Sequence, residues 1–418
     1  MQLKTILNRV HKHRSFVYEA DRLYEECGRL RIDVDIRPRA NGRPKCSGCG
    51  RRRPGYDTLS ARRFEFIPIL GIAVYFVYAM RRVDCPNCGI VVESVPWGSG
   101  KHHATTTYAW FLAGWSKRLN WSAVAEAFQT SWDRVFRAVE MAVTWGLEHR
   151  DLEGVQAIGV DEVLWHKGYK FLTVVYQIDQ GARRLLWVGL DRRTKTLLKF
   201  FRRAFGRERS ARLRFISSDM WKPYLKVIAR KAPDAIHVLD RFHIMAHMSK
   251  AIDEVRAQEA KRLQADGYVP VLKGMRYCLL KRPENLTENQ EVKLAELLKY
   301  NLKAVRAYLL KEDFQFFWDY VSPAWAGKFL DRWCTRAMRS RIVPMKRVAR
   351  MLCRHRELLL NWFRARGTIS AAAVEGLNNK LKLTTRKAYG FRTFRALEIA
   401  LYHTLGDLPQ PKVTHRFC

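Results

Sequence analysis

Residues 157–165 read AIGVDEVLW, an apolar run broken by one acidic pair. Ile158 and Val160 precede Asp161, and Val163, Leu164 and Trp165 follow Glu162, so the segment reads as a buried strand that carries a carboxylate. A buried carboxylate is costly unless it is paired, hydrogen-bonded or bound to a cation. Taken alone, the stretch allows two readings: a metal-ligating Asp161, or an Asp that caps a turn at a strand end.

The segments downstream bear on that choice. KFLTVVYQID and RRLLWVGLDR follow, each closed by polar or turn residues, first Gln180-Gly181 and then Arg192-Arg193-Thr194. With the first strand they pair as an antiparallel meander. Thr194 to Phe205 reads as one helix with Leu197, Leu198, Phe201 and Phe205 on its apolar stripe. A fourth strand, RLRFISSD, ends on Asp219. After a helix around Tyr224 to Lys231, a fifth, AIHVLD, ends on Asp240. Three antiparallel strands, a helix, a strand, a helix and a strand is the order of the ribonuclease-H-like fold. In that order strands one and four adjoin, which sets Asp161 beside Asp219. Glu162, Asp179 and Asp191 compete on spacing alone.

From Arg241 to about Arg366 nearly every window carries the helical period, with tryptophans and phenylalanines on the apolar faces, where they read as core. After Gly367 comes SAAAVEGLNNKLKLTTRKAYGFRTFRALEIALYH. Ser370 caps a helix that carries Glu375 in its second turn, with Asn378, Asn379, Lys380 and Lys382 beyond and a basic stretch over Arg386 to Arg395. Residues from about Gly406 read as a frayed tail.

Upstream lie two matched knuckles, Cys46-Ser-Gly-Cys49-Gly and Cys85-Pro-Asn-Cys88-Gly. Two thiolates separated by two residues take adjacent corners of a tetrahedron, and the glycine lets the backbone turn under the sulfurs. A hairpin formed by Arg62 to Ile69 and Ile72 to Arg81 explains the wide spacing, as in a zinc ribbon. Such a closed four-thiolate site staples a small domain and does no catalysis. Ala104 to His149 is helical, and a Thr130-Ser131 break inside WSAVAEAFQTSWDRVFRAVEMAV separates two helices in the manner of a helix-turn-helix. An ordinary helical hairpin is the competing reading. Asp133 and Arg134 would face the groove. Before the first knuckle, Phe16 to Glu26 reads as a short helix and LRIDVDIRPR as a strand, with no assignable chemistry.

Composition narrows the partner. The 418 residues hold 76 Lys and Arg against 40 Asp and Glu, a net charge of +36 spread along the whole length. The excess points to a polyanion, nucleic acid before a membrane surface. MQLKTILNRVHKHRS is too polar for a secretory leader, and the longest apolar run, Phe64 to Met80, carries Glu65, Pro68 and Gly71. Nine cysteines, four of them in CxxC pairs, do not form a secreted disulfide framework. A reducing cytoplasm fits.

Taken together, the two knuckles, the arginine pair before the second, GVDE at 159–162, SDMWKPY at 218–224, LDRFHI at 239–244 and VEGLNNKLKLTTRKAYGFRTF at 374–394 resemble the ISL3-family transposases of bacterial insertion sequences. The resemblance covers nearly the whole chain, and its last three blocks are specific. It implies a multidomain α/β protein: a ribonuclease-H-like mixed-sheet catalytic core interrupted by a long all-α insertion, preceded by a zinc ribbon and a helix-turn-helix. The expected divisions are an N-terminal extension (1–43), the ribbon (44–98), the helix-turn-helix (104–150), the core's first part (155–242), the insertion (243–366), the core's second part (367–405) and a tail (406–418).

By position the resemblance maps a catalytic triad onto Asp161, Asp219 and Glu375, ligands for two Mg²⁺ or Mn²⁺ ions, with structural Zn²⁺ on Cys46, Cys49, Cys85 and Cys88. Asp240-Arg-Phe-His243 is similar to a D-x-x-H signature of related families, which gives His243 a supporting role near the scissile phosphate. Trp221 reads as core in preference to a base-stacking platform. The cations expected on DNA are Arg134, Arg137, Lys380, Lys382, Arg386, Lys387 and Arg392. The implied partners are double-stranded DNA, as inverted-repeat ends and as target, and further copies of the chain in a homodimer or larger assembly, at the bacterial nucleoid and not at a membrane. A DNA-binding regulator with an inactive core and a nuclease that cuts without joining are the other functions the sequence allows.

Overall fold

Two turns with paired left-handed residues shape the first sheet. In the computed structural model, which describes residues 3–98, 100, 102–166, 170–365 and 371–411, Cys27 and Gly28 have φ of 54° and 72°, and Leu70 and Gly71 have 51° and 79°. Two-residue turns of this kind match the right-handed twist of antiparallel strands. The first joins β1 (Phe16–Glu26) to β2 (Arg29–Pro38), and the second joins β3 (Gly55–Ile69) to β4 (Ile72–Cys85). β2 and β4 pair in parallel, giving the order β1-β2-β4-β3, with β5 (Gly89–Val92) on β4. Helix α1 (Leu3–Val10) packs on β1.

Phe16–Glu26 is thus a strand and not the helix its sequence suggests. Phe16 and Tyr18 alternate inward, and further along the hairpin is held by polar pairs: Arg22 meets Asp35 at 3.0 Å and Tyr24 donates to Asp33 at 3.1 Å. Pairing across the Cys27-Gly28 turn overrides the helix propensity of its Glu, Ala and Arg residues. The sheet's core is aromatic. Phe66 stacks on Phe76 with centroids 4.5 Å apart, and Trp97 meets Phe16 and Tyr78 edge-on.

Three helices follow, α2 (Thr106–Ser116), α3 (Trp121–Ala127) and α4 (Trp132–His149). Thr105, Asn120 and Ser131 cap them by accepting backbone N–H bonds, so the break at Thr130-Ser131 is a true helix start. Val135, Ala138, Val139 and Val143 form the buried face of α4.

The chain divides into two units, Met1–Asp151 with Leu383–Cys418, and Leu152–Lys382. The second is built on β6 (Ala157–His166), β7 (Lys170–Asp179), β8 (Ala182–Leu190), β9 (Phe215–Ser218) and β10 (Ile236–Leu239). The order is β10-β9-β6-β7-β8: β6, β7 and β8 are antiparallel neighbours, while β9 runs parallel to both β6 and β10. The chain is therefore mixed α/β with two mixed sheets and many helices.

The connections between these strands carry one surprise. Where the sequence predicts one helix over Thr194 to Phe205, α5 (Thr194–Lys199) widens into a π-helical turn at Phe200–Phe205. The wider hydrogen-bond spacing, Gly206 N–H to Phe201 O at 3.1 Å, stacks Phe200 on Phe205 and makes Phe200 a core residue in place of Leu198. α6 (Arg207–Ala211) and α7 (Lys222–Lys231) complete the layer.

Beyond β10 come α8 (Arg241–Ala265), α9 (Arg276–Leu280), α10 (Glu288–Leu298), α11 (Lys303–Gln315), α12 (Pro323–Arg339), α13 (Val343–Arg354) and α14 (Arg356–Arg364). Ile244, Met248, Ile252 and Val255 repeat at helical spacing along α8 and seed their core. Phe314, Phe317 and Trp333 are buried there, whereas Phe316 and Trp325 are exposed. Two buried charged groups are satisfied by backbone: Glu259 accepts the Lys303 and Ala304 N–H groups at 2.9 and 2.7 Å, and Lys311 donates to the Leu279 and Lys281 carbonyls.

α15 (Ala371–Lys387) then returns to the sheet. The expected cap at Ser370 lies outside the described residues. α16 (Phe394–Leu405) packs on α4, and Leu408 sits so close to Gly146 that a Cβ there would meet it at 2.7 Å. The expected frayed tail is thus packed at Leu408, because Gly146 leaves a notch on α4. Among the described residues no helix is long and apolar enough to cross a membrane.

Candidate functional site

The register of three strands aligns three acids. Val160 on β6 is paired with Ser218 on β9, and Ser218 with Leu239 on β10; the next residues are Asp161, Asp219 and Asp240. Parallel neighbours lie about 4.8 Å apart, so the acids form a row across three strands where β9 and β10 end and β6 runs on.

Asp161 is buried. Its Oδ1 accepts the Glu162 N–H at 2.7 Å, and its Oδ2 accepts Asn378 Nδ2 at 2.6 Å, while Asn378 Oδ1 accepts the Tyr176 hydroxyl at 2.9 Å. Asp219 Oδ1 accepts the Trp221 N–H at 3.0 Å. Burial raises the pKa of Asp161, and it pushes Asp219 up to about 6, where the charges of Glu162 and Asp161 add to the push. Two neighbouring acids, one buried and one half-buried, that each resist ionisation are the arrangement a cation relieves.

His243 faces this row from the first turn of α8. Its Nδ1 lies 3.0 Å from Asp240 Oδ2, and Asp240 Oδ1 also caps the helix at the Phe242 N–H. The bond to Asp240, helped by the charges of Asp161 and Asp219, outweighs burial and lifts His243 to about 9. The imidazole is therefore protonated at neutral pH, a positive group among the acids.

Glu162 is tied down. Arg192 Nη1 lies 3.0 Å from its Oε1, and the Arg192 guanidinium sits between two rings, 4.2 Å from the centre of Phe171 and 5.0 Å from that of Trp221. Trp221 is 38% exposed and donates its indole N–H to the Arg192 carbonyl at 3.3 Å, so it is a lid on Arg192 and not a core residue. The other Glu162 oxygen, Oε2, is buried and has no hydrogen-bond partner.

Glu375 comes close through its helix. A Cβ on Gly159 of β6 would meet Val374 at 2.4 Å, and Asn378, one turn on, bonds Asp161, so α15 lies against β6 on either side of Glu375. The Glu375 side chain is exposed. Among the described residues, only the four cysteines bring three or more ligand atoms within reach of one another, and Asp161, Asp219 and Glu375 do not form such a set.

The candidate DNA cations divide by environment. Arg134 is engaged by the buried Glu65, and Arg137 pairs with Asp133 at 2.9 Å on the exposed side of α4. Lys387 donates to the Lys117 and Arg118 carbonyls. Lys380, Lys382, Arg386 and Arg392 are exposed. Sequence reasoning missed Asn378 and Arg192. The signal for Asn378 was its spacing, three residues after Glu375 and four after Val374; nothing marked Arg192.

Cys46, Cys49, Cys85 and Cys88 place their sulfurs within 4.8 Å of one another, with Cys49 and Cys85 at 3.6 Å. A tetrahedral zinc with bonds of about 2.3 Å spaces its thiolates at just under 4 Å. Gly48 must lack a side chain, since a Cβ would sit 2.9 Å from the Cys88 sulfur. The Asn87 N–H draws the Cys85 thiol down to about 6, while desolvation and the neighbouring sulfurs push Cys88 up to about 12. Four thiols so crowded cannot all ionise without a cation among them, and a zinc ion fits the set.

The row therefore holds one buried acid, Asp161, and two half-buried ones, Asp219 and Asp240, in a chain whose net charge is +36. The family model for ISL3 transposases, described as Transposase, matches residues 158–401. The transposase of insertion sequence element IS1557 from Mycobacterium tuberculosis is 32% identical over 412 residues, 91% of this chain and 90% of that one. That of IS1001 from Bordetella parapertussis is 29% identical over 350 residues, 83% and 85% of the two chains. This chain belongs to the ISL3 family of insertion-sequence transposases. Among solved structures, the Drosophila P element transposase strand transfer complex aligns over 73% of this chain and 92% of that one, with a TM-score of 0.35 and 11% identity.

Proposed function

We propose that this transposase binds the terminal inverted repeats of its insertion sequence, hydrolyses a DNA strand to free a 3′ hydroxyl, and joins that hydroxyl to target DNA. The observation that carries the reading is the row of acids on adjacent strands, where Asp161 and Asp219 follow the Val160–Ser218 pair with both pKa values raised. The strand order β10-β9-β6-β7-β8, with the helices α8–α14 set between Asp240 and α15, supports a ribonuclease-H-like core with an all-α insertion.

Asp161, Asp219 and Glu375 are the residues that would hold two Mg²⁺ or Mn²⁺ ions through oxygen donors. Cations held there supply Lewis acidity to the attacking and leaving oxygens of a phosphodiester. The protein's own groups do the positioning. Asn378 fixes Asp161 in one rotamer, the Trp221 N–H fixes Asp219, and Arg192 holds Glu162 aside. The His243 cation faces the site where a phosphate's negative charge would grow.

DNA recognition falls to the ribbon and to α3–α4, with Arg137 at the exposed start of α4 and Lys380, Lys382, Arg386 and Arg392 on phosphates. Arg134 serves as an anchor to Glu65 in this reading. Action on two element ends calls for a dimer or larger assembly, at the bacterial nucleoid. Incubating the protein with Mg²⁺ and DNA bearing the element's ends, then sequencing the products, tests the proposal. Nicks at the ends with joined products support it; cleavage without joining supports a nuclease, and intact DNA contradicts both.

A further inference from the structure

We propose that the N-terminal region, between α1 and the β1–β2 hairpin, is a second DNA-binding element: a basic groove that grips the phosphate backbone of duplex DNA without reading sequence. It rests on the reading that this chain binds DNA. The groove encloses about 1140 Å³ and is walled by Lys4, Arg9, Lys12, Arg14, Arg37 and Arg39. Helical spacing puts Lys4, Thr5, Asn8 and Arg9 on one face of α1, while Leu7 on the other is buried in the sheet's core. Arg37 comes from β2, opposite Val17 of β1, so cations line both walls.

Arg37 has a counter-ion, Glu19 at 2.8 Å. Among the described residues the side chains of Lys4, Arg9, Lys12, Arg14 and Arg39 form no ion pair, while the acids nearby are Glu19, which lines the groove, and Asp21, whose carboxylate accepts the Lys4 backbone N–H at 3.4 Å. Five like charges held around one hollow repel one another, a cost that an anionic ligand offsets.

The groove is also rigid. Asn8 bonds both backbone groups of Tyr18, its Nδ2 donating to the carbonyl at 3.0 Å and its Oδ1 accepting the N–H at 3.4 Å. His11 lies 2.6 Å from the Tyr18 hydroxyl and 3.0 Å from Thr107 Oγ1. The cations are thus placed before any ligand arrives. Their spread over a helix, the loop after it, one strand and the residue just past that strand suits a run of phosphodiesters better than a single phosphate. The aromatic residues of the groove, Phe16 and Tyr18, are buried and offer no stacking platform, which favours a duplex over an unpaired strand.

The test uses the full-length, zinc-replete chain and fluorescence anisotropy with two labelled duplexes of equal length, one carrying the element's end and one unrelated, across a salt series. The variant Lys12→Gln/Arg14→Gln/Arg39→Gln alters only groove cations that lack ion pairs, and Lys4→Gln/Arg9→Gln alters the opposite wall. Each is expected to weaken both duplexes and to lower the slope of log K against log salt by about 0.9 for each phosphate no longer neutralised. Wild type that binds with both variants unchanged in slope and affinity overturns the groove alone. Weakening confined to the end duplex, or tighter binding of an equal-length RNA duplex, also overturns it. Wild type that binds neither duplex overturns this inference and the proposed function together.

Discussion

Asp161 and Asp219 stand one residue beyond a register pair, Val160 with Ser218, on neighbouring parallel strands, Asp161 within β6 and Asp219 just past the end of β9. Asp219 has a pKa of about 6 in the folded protein against an ordinary 3.8. The native state then binds more protons than the unfolded chain between those values, so stability falls as pH rises through that window and stays lower above pH 6. Asp219→Asn removes the charge. It is expected to raise the melting temperature of metal-free protein at pH 7.5, by a gain of up to about 3 kcal/mol, while abolishing cleavage. Calorimetry in the presence of EDTA checks the sign, and a lower melting temperature contradicts it.

The packing of α15 on β6 sets Val374 against Gly159 and Asn378 against Asp161, with Glu375 between them on the same helix. Gly159→Ala drives a Cβ into Val374 and is expected to cost about 1–3 kcal/mol and to slow cleavage by displacing Glu375 and Asn378. Val374→Ala in the same chain removes the obstructing methyl and restores most of both losses. A strictly additive double variant in denaturant melts shows that the two residues do not press on each other.

How much of this could be read beforehand depends on the range of the interaction. The knuckles and the acids in or after apolar runs were legible because cysteine spacing and apolar runs are local signals, and the adjacency of β6 and β9 followed from the order of strands and helices. Phe16–Glu26 was misread because its partner strand and the Cys27-Gly28 turn, not its own propensity, make it extended. The π-helical turn at Phe200–Phe205 breaks the period from which burial was inferred. Asn378 on Asp161, Arg192 on Glu162 and Glu65 on Arg134 join residues far apart in the chain, and no local pattern announces such pairs.

The four-cysteine centre makes a separate prediction. Elemental analysis is expected to find zinc in the wild type and none in Cys49→Ser, whose melting temperature is expected to fall, since the sulfurs stitch the Cys46 loop to the end of β4. Full zinc content in the variant, or none in the wild type, contradicts the assignment.

His403 predicts acid sensitivity. Burial, with Lys117 and Lys387 nearby, depresses its pKa to about 3. The unfolded chain takes up this proton near pH 6.5 while the folded chain does not, so the stability it contributes is full above 6.5 and declines as pH falls from there toward 3. His403→Gln is expected to flatten the fall in melting temperature between pH 6.5 and 4; an unchanged pH profile contradicts this.

The most direct test of the account is Asp219→Ala, assayed side by side for binding and for cleavage of DNA bearing the element's end. The account predicts unchanged end binding and no Mg²⁺-dependent cleavage. Cleavage that survives the substitution would contradict it.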